Sequence, residues 1–405
     1  MPTTYTYDAR GNQLTVTDAT GTTTRVYDTQ GRVLSKTTEI DGEAFTQTFI
    51  YDLLTNPVTN APLPQGHTAE TAIDPKGNVT SKEYDKTGRL VSVFEGSDVT
   101  TYQYYSNGAL KRTTYPGNTY STYSYYLNHL LEGAANHRPN GNYISTYTYG
   151  YDPNGNLLQK LDAQGLTTYT YDHQDRLETL TEPTGRVTEY TYDLAGNRAT
   201  ETKTEGEETT VTISTYNAQN RLMHLTEERP DGTVKENAFY YDPNGNMLSK
   251  FTSYQQPEPP NNQQPEPPNN QQPEPPNNPI ENQLTETSPD VTLYTYDTRN
   301  RLVTTSYNET ITQSVYNGEN RRIKQTVNDE TTLYIYEYNK VVLELTEEGA
   351  QKAKNTYGNA LISRKNAGES VVYFLYNGQG DVEALSNANG NTVATYYYNP
   401  WGKHL

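Results

Sequence analysis

The sequence predicts an all-β protein: repetitive antiparallel β-hairpins laid side by side into one long, coiling sheet. Three observations predict it. Of 405 residues, 38 are tyrosine, threonine is abundant and aliphatic residues are few, and Tyr and Thr favour strands. A short unit opening on Tyr-Asp or Tyr-Asn recurs almost from end to end, often 20 or 21 residues apart (Tyr7 to Tyr27, Tyr151 to Tyr171, Tyr171 to Tyr192). Self-similarity at such a period marks a repeat architecture. The stretches before these units alternate, as in Thr168-Tyr169-Thr170-Tyr171, which puts Tyr169 and Tyr171 on one face of a strand.

The clearest units start at Tyr7-Asp8, Tyr27-Asp28, Tyr84-Asp85, Tyr151-Asp152, Tyr171-Asp172, Tyr192-Asp193, Tyr216, Tyr241-Asp242, Tyr296-Asp297 and Tyr316. Weaker copies start at Tyr51, Ile73, Tyr105 and Tyr336. YDPNGN occurs twice, at Tyr151–Asn156 and Tyr241–Asn246. Asp at the first position of a turn and Gly at the fourth is the type I pattern, and Pro153 suits the second position because its φ is already set. Gly11, Gly31, Gly88, Gly155, Gly196 and Gly245 hold that fourth position, which takes the left-handed conformation that closes a hairpin. Where Gly is absent, Asp175, Asn220 or Asn300 stands there, the residue types that tolerate positive φ next best. An apolar residue five past the Asp or Asn (Val33, Leu90, Leu157, Leu177, Leu222, Met247, Leu302) begins the return strand. Each unit thus reads strand, turn, strand. A lone hairpin is marginal in water, so the units must stack, and cross-strand aromatic pairs add about 0.2–1 kcal/mol each.

Along the chain, residues 1–254 read as the repeat array. Residues 255–278 are QQPEPPNN three times over; proline at this density forbids sheet pairing and favours polyproline II. At ~3.1 Å per residue this external spacer reaches roughly 75 Å. Repeats resume over 279–356, and 357–405 form a distinct C-terminal region. Leu53–Thr71, with Pro57, Pro62 and Pro64, reads as a long loop, and Leu127–Tyr143 as a site for a short turn of helix.

Composition excludes several functions. The charge of −18 argues against nucleic acid as a partner, since phosphate binding needs a basic face. The absence of Cys removes disulfides and thiolate metal sites. No apolar run approaches the length of a membrane span. There is no signal-peptide pattern, and the chain opens inside a repeat, as expected of an excerpt from a longer protein. Asp152, Asn154 and Asn156 alternate as at the start of a calcium loop, but no bidentate Glu follows at the required distance, so the structural turn is the stronger reading. The six histidines form no zinc pattern, and no nucleophile, acid–base pair or phosphate loop stands out. The expectation is therefore no catalytic residue, no metal and no cofactor. The tyrosine rows read as packing, with sugar or peptide stacking as the second reading.

The unit Tyr-Asp-x-x-Gly-Arg/Asn-Leu resembles the YD-repeat, or Rhs-repeat, family. It includes bacterial Rhs and WapA-like polymorphic toxins, the C subunits of Tc toxins and animal teneurins. The C-terminal stretch is similar to the family's Rhs-associated core: Tyr357-Gly358, then Gly380-Asp381, Gly390, and Tyr398 with Pro400-Trp401-Gly402. The resemblance implies a spiral β-sheet shell enclosing a C-terminal toxin, in a secreted or cell-wall-associated protein of interbacterial competition. It implies as partner the chain's own C-terminal effector segment, with the repeat portion a non-catalytic monomer and Trp401 in a packing role. The family's self-cleavage junction does not occur before Leu405, and Asn377 and Asn399 stand where the family often has Asp, so autoproteolysis is not carried over. The alternatives are an adhesion scaffold binding carbohydrate at a cell surface and a structural spacer of the cell wall.

Overall fold

The computed structural model describes residues 2–256 and 290–398. Among them it has thirty-three β-strands and a single three-residue 3-10 turn at Pro116–Asn118. The fold is all-β. Most of the proline-rich insert, and Pro400, Trp401 and Gly402, lie outside the described residues. The chain divides into two units: Met1–Leu166 together with Thr312–Leu405, and Thr167–Ile311.

Inside each unit the strands run as an antiparallel meander, and one hairpin explains the rest. After the strand Tyr143–Tyr151, Asp152 N–H donates to Asn156 O at 2.9 Å and Gly155 N–H to Asp152 O at 3.1 Å. This is a tight turn closed by a left-handed residue, Gly155 at φ 92°. The return strand Leu157–Asp162 then carries a bulge. Tyr151 faces Leu157 but Gly150 faces Gln159, so Leu158 is the extra residue. The same offset follows Tyr27 (Val33, then Ser35), Tyr241 (Met247, then Ser249) and Tyr376 (Val382, then Ala384). A bulge bends the strand and increases its twist, so every such turn adds curvature. The sequence reading has the turn without the bulge. Asp175, Asn220 and Asn300 take positive φ where Gly is missing.

At the other ends of the strands, shorter turns appear. Ile40 pairs with Glu43 across Asp41-Gly42, both at positive φ, the primed geometry that matches strand twist. Threonine hydroxyls bond across strands, as between Thr191 and Thr200 at 2.6 Å and Thr37 and Thr46 at 2.8 Å. Two expectations fare differently. Leu127–Tyr143 holds no helix: Leu131–His137 is a strand, flanked by turns at Tyr126–Leu130 and Arg138–Asn142. Residues 54–67 lie outside the strands, tied by a Thr55–Pro62 bridge.

Apolar burial is concentrated in the first unit. Ile40 and Phe45 pack with Ile323, Leu333, Ile335, Leu343 and Leu345. Leu90, Val93, Tyr102 and Tyr115 pack with Ile362, Tyr373, Leu375 and Ala384. The C-terminal strands therefore build the core against the N-terminal ones. In the second unit the buried hydrophobic residues among those described are Tyr169, Leu180 and Tyr190.

Candidate functional site: the stitched turns and the C-terminal seam

The recurring letters of the unit act together as a stitch between successive hairpins. In the turn opened by Asp172, Oδ1 accepts from Gln174 N–H at 2.8 Å and Arg176 N–H at 3.0 Å, and Oδ2 from Arg176 Nε at 2.7 Å. Asn replaces Arg without loss of the clip: Asn156 Nδ2 donates to Asp152 Oδ2 at 3.0 Å, and Asn12 Nδ2 to Asp8 Oδ2 at 2.8 Å. These bonds favour the charged carboxylate. The Arg176 side chain, then the backbone donors, hold Asp172 down to about 2. Asp8, Asp28 and Asp193 are lowered in the same way, through their fifth-position partners.

The tyrosine ties the turn to its predecessor. Tyr192 O–H donates to Leu177 O at 2.7 Å, the first residue of the preceding return strand, beside the bulge. Tyr27 reaches Gln13 O at 2.8 Å, Tyr241 reaches Leu222 O at 2.8 Å and Tyr376 reaches Leu361 O at 2.7 Å. Burial pushes Tyr192, Tyr27 and Tyr241 up, and Tyr376 to about 12. The arginine completes the link: Arg176, clipped to Asp172, lies 4.4 Å from the ring centroid of Tyr192, and Arg32 lies 4.5 Å from that of Tyr51, within cation–π range. Variation is local. Tyr84 donates to Glu70 Oε1 at 2.7 Å, Tyr151 packs edge-on against Tyr126 at 6.3 Å, and Tyr7 is exposed. The Arg/Asn role as a carboxylate clip, visible in the sequence as a recurring letter, is what the sequence reading missed.

A second constellation joins the C-terminal strands to the N-terminal ones within the first unit. Arg25 pairs with Glu319, Lys82 with Glu337 at 2.6 Å and Lys354 with Glu95 at 2.8 Å. Tyr373 O–H donates to Asp98 at 2.8 Å. Glu383 Oε2 accepts from Ser145 Oγ at 2.8 Å and Asn136 Nδ2 at 3.1 Å. Glu383 is the bulge residue after Tyr376, and burial raises its pKa against those hydrogen bonds. The core-like residues lie along this seam. A Cβ on Gly358 would collide with Tyr102 Oη, and one on Gly378 would sit 2.6 Å from the Tyr149 ring. In the turn before Gly380, at φ 90°, the clip is reversed: Asn377 opens it and donates to Asp381 Oδ2 at 3.0 Å. Gly390 meets Pro139 closely, and Tyr398 is the last described residue. The sequence singles out the glycines of this seam but not their partners, which lie far away in the chain.

No group of three or more His, Asp or Glu side chains stands close enough to hold a metal among the described residues. The oxygens of Asp152 that suggested calcium are occupied by their own turn. No helix among the described residues is long and apolar enough to cross a membrane, which says nothing of crossing by strands.

Comparison with known proteins agrees with this geometry. The RHS Repeat family model matches residues 151–187 and 179–208. The tRNA3(Ser)-specific nuclease WapA of Bacillus spizizenii is 27% identical over 315 residues, covering 64% of this chain and 11% of that protein. The tRNA nuclease WapA of Bacillus subtilis strain 168 is 27% identical over 314 residues, with the same coverage. The chain thus spans about a tenth of the length of these relatives. Among solved structures, the TcdB2-TccC3-TEV crystal structure superposes with a TM-score of 0.61 at 16% identity, over 99% of this chain and 21% of that one. TcdB2-TccC3 without its hypervariable C-terminal region gives 0.57 at 15% identity, over 97% and 20%. These likenesses establish a shared fold.

Proposed function

Because the chain belongs to the Rhs-repeat (YD-repeat) family, we propose that it is a non-catalytic wall segment of a bacterial polymorphic toxin, whose repeats enclose and present a toxic C-terminal segment. The observation that carries this reading is the stitched hairpin combined with a TccC3-like fold over nearly the whole chain. A repeat that ties many of its turns to the preceding hairpin, and bends at each bulge, suits a wall better than a reaction centre. Three further points support it. Relatives with this repeat are tRNA nucleases by name. A solved relative is described as having a hypervariable C-terminal region. The seam fixes the C-terminal strands of the first unit onto its N-terminal strands, a firm base from which a following segment extends. The partner is that segment, and the place of action is the cell surface or outside the cell. The nuclease activity named for the relatives belongs, on this reading, to sequence beyond the repeats.

The test is expression of the segment that follows the repeats in the full protein, alone and joined to them, in susceptible bacteria. Growth arrest by the segment alone, relieved when the repeats precede it, is the expected result. A joined form as toxic as the free segment, or a free segment without toxicity, contradicts the proposal.

A further inference from the structure

In the first unit a cavity of about 270 Å³ lies where the strands Gly21–Tyr27, Val33–Ile40 and Glu43–Leu53 meet the turn before Arg322–Val327 and the end of Glu330–Glu337. Its lining divides by chemistry. Arg25, Lys36 and Arg321 bring three cationic side chains, and Glu319 is the single carboxylate. Phe49, Tyr51 and Tyr336 form the apolar wall. In a chain of net charge −18, this pocket holds a local surplus of two positive charges, three against one.

The surplus has a cause in the sequence. Where the unit reads Asp at the first turn position and Arg at the fifth, the two clip, as in Asp28–Arg32, Asp85–Arg89 and Asp172–Arg176. At Asn317–Arg321 the carboxylate is replaced by an amide. Asn317 Oδ1 still accepts from Arg321 N–H at 3.0 Å, so the turn is kept, but the guanidinium has no carboxylate partner among the described residues. It stands 5.8 Å from the Tyr336 ring centroid. Glu319 is already shared: Arg25 pairs with it, and Lys36 lies 3.9 Å away. The side chains of Arg25 and Lys36 are only 11% and 13% exposed. The charged groups facing Lys36 are Glu319, Arg25 and Arg321, and burial, helped by the two arginines, draws its pKa down. Buried cations in excess are costly unless an anion joins them. A guanidinium fork fits a carboxylate in two-point geometry. At ~30 Å³ per water the space equals about nine waters, the scale of a small aromatic acid.

We propose that this cavity binds a small carboxylate carried on an apolar or aromatic body, its head among Arg25, Lys36 and Arg321 and its body along Phe49, Tyr51 and Tyr336. The carboxylate belongs either to a free acid or to a polypeptide side chain, and two probes separate them. The whole chain is titrated at constant ionic strength with sodium benzoate and, separately, with acetyl-glutamyl-phenylalanine amide, reading tyrosine emission and thermal midpoint. A bound ligand raises the midpoint with saturation. The expected result is saturable binding of benzoate, at least tenfold weaker in Arg321→Gln and in Lys36→Met, with both variants melting cooperatively without ligand. Benzoate binding alone assigns a free acid; binding of both probes, or of the peptide alone, assigns a polypeptide carboxylate. The proposal is overturned if neither probe differs from sodium chloride at equal ionic strength. It is overturned equally if Arg321→Gln, still folded, binds with unchanged affinity.

Discussion

Asp172 and Glu383 are carboxylates that respond to pH in opposite directions. The clip holds Asp172 at about 2, below the ordinary Asp value near 3.9. Its contribution to folding is therefore complete above that ordinary value and is lost as pH falls through the folded one. The same holds for Asp8, Asp28 and Asp193, so acid unfolding followed by circular dichroism should occur mainly between about pH 4 and pH 2. Asp172→Asn keeps an acceptor for the turn, loses the charged clip and should reduce the dependence; an unchanged acid midpoint speaks against the clip. Glu383 is raised by burial, so the folded state holds its proton longer. It weakens the fold as pH rises from the ordinary Glu value through the folded one. Glu383→Gln should therefore gain stability relative to the parent at pH 8 compared with pH 5, read as the difference in urea midpoints. The tyrosine hydroxyl is a third case. Tyr192→Phe removes the bond to Leu177 O and should cost about 0.5–1.5 kcal/mol in urea unfolding.

At the scale of the element, the hairpin was legible because its chemistry is local. Asp152, Pro153 and Gly155 fall within four residues, and their turn geometry follows from their types alone. The bulge at Leu158 was not legible, since an apolar residue there fits a regular return strand as well. The tyrosine stitch needs the next hairpin in place: Tyr192 and Leu177 lie 15 residues apart. The seam was beyond reach, for Arg25 and Glu319 are separated by 294 residues. The bulge position shows how context decides. Leu158 and Leu248 are exposed there, while Ile323 and Ile362 are buried against the N-terminal strands. Two predictions belong here. Gly378→Ala forces a Cβ toward the Tyr149 ring and Leu131 and should cost about 1–3 kcal/mol in urea unfolding, as overpacking does. Amide exchange should be slowest in Glu330–Glu337 and Lys340–Leu345, which carry Leu333, Ile335, Leu343 and Leu345, and faster in Arg198–Glu205 and Glu208–Tyr216, which contribute no buried apolar residue. Equal protection in both would mean that stitching alone stabilises strands as well as a core does.

At the scale of the molecule, the sequence supports a repeat sheet, and the enclosing role proposed for it rests on its likeness to Rhs-repeat proteins. An acidic, tyrosine-rich sheet that stitches many hairpins to their predecessors needs little aliphatic core, which accounts for a strongly negative mean hydropathy in a folded chain. Enclosure of a downstream segment is read by protease protection. The chain is extended through the sequence that follows it in the full protein, then digested with a broad protease, with the seam intact and with it broken by Gly378→Trp. Survival of the downstream segment with the intact seam, and its digestion when the seam is broken, is the predicted result. Prompt digestion of that segment while the repeats themselves resist would overturn enclosure and mark the repeats as an open scaffold.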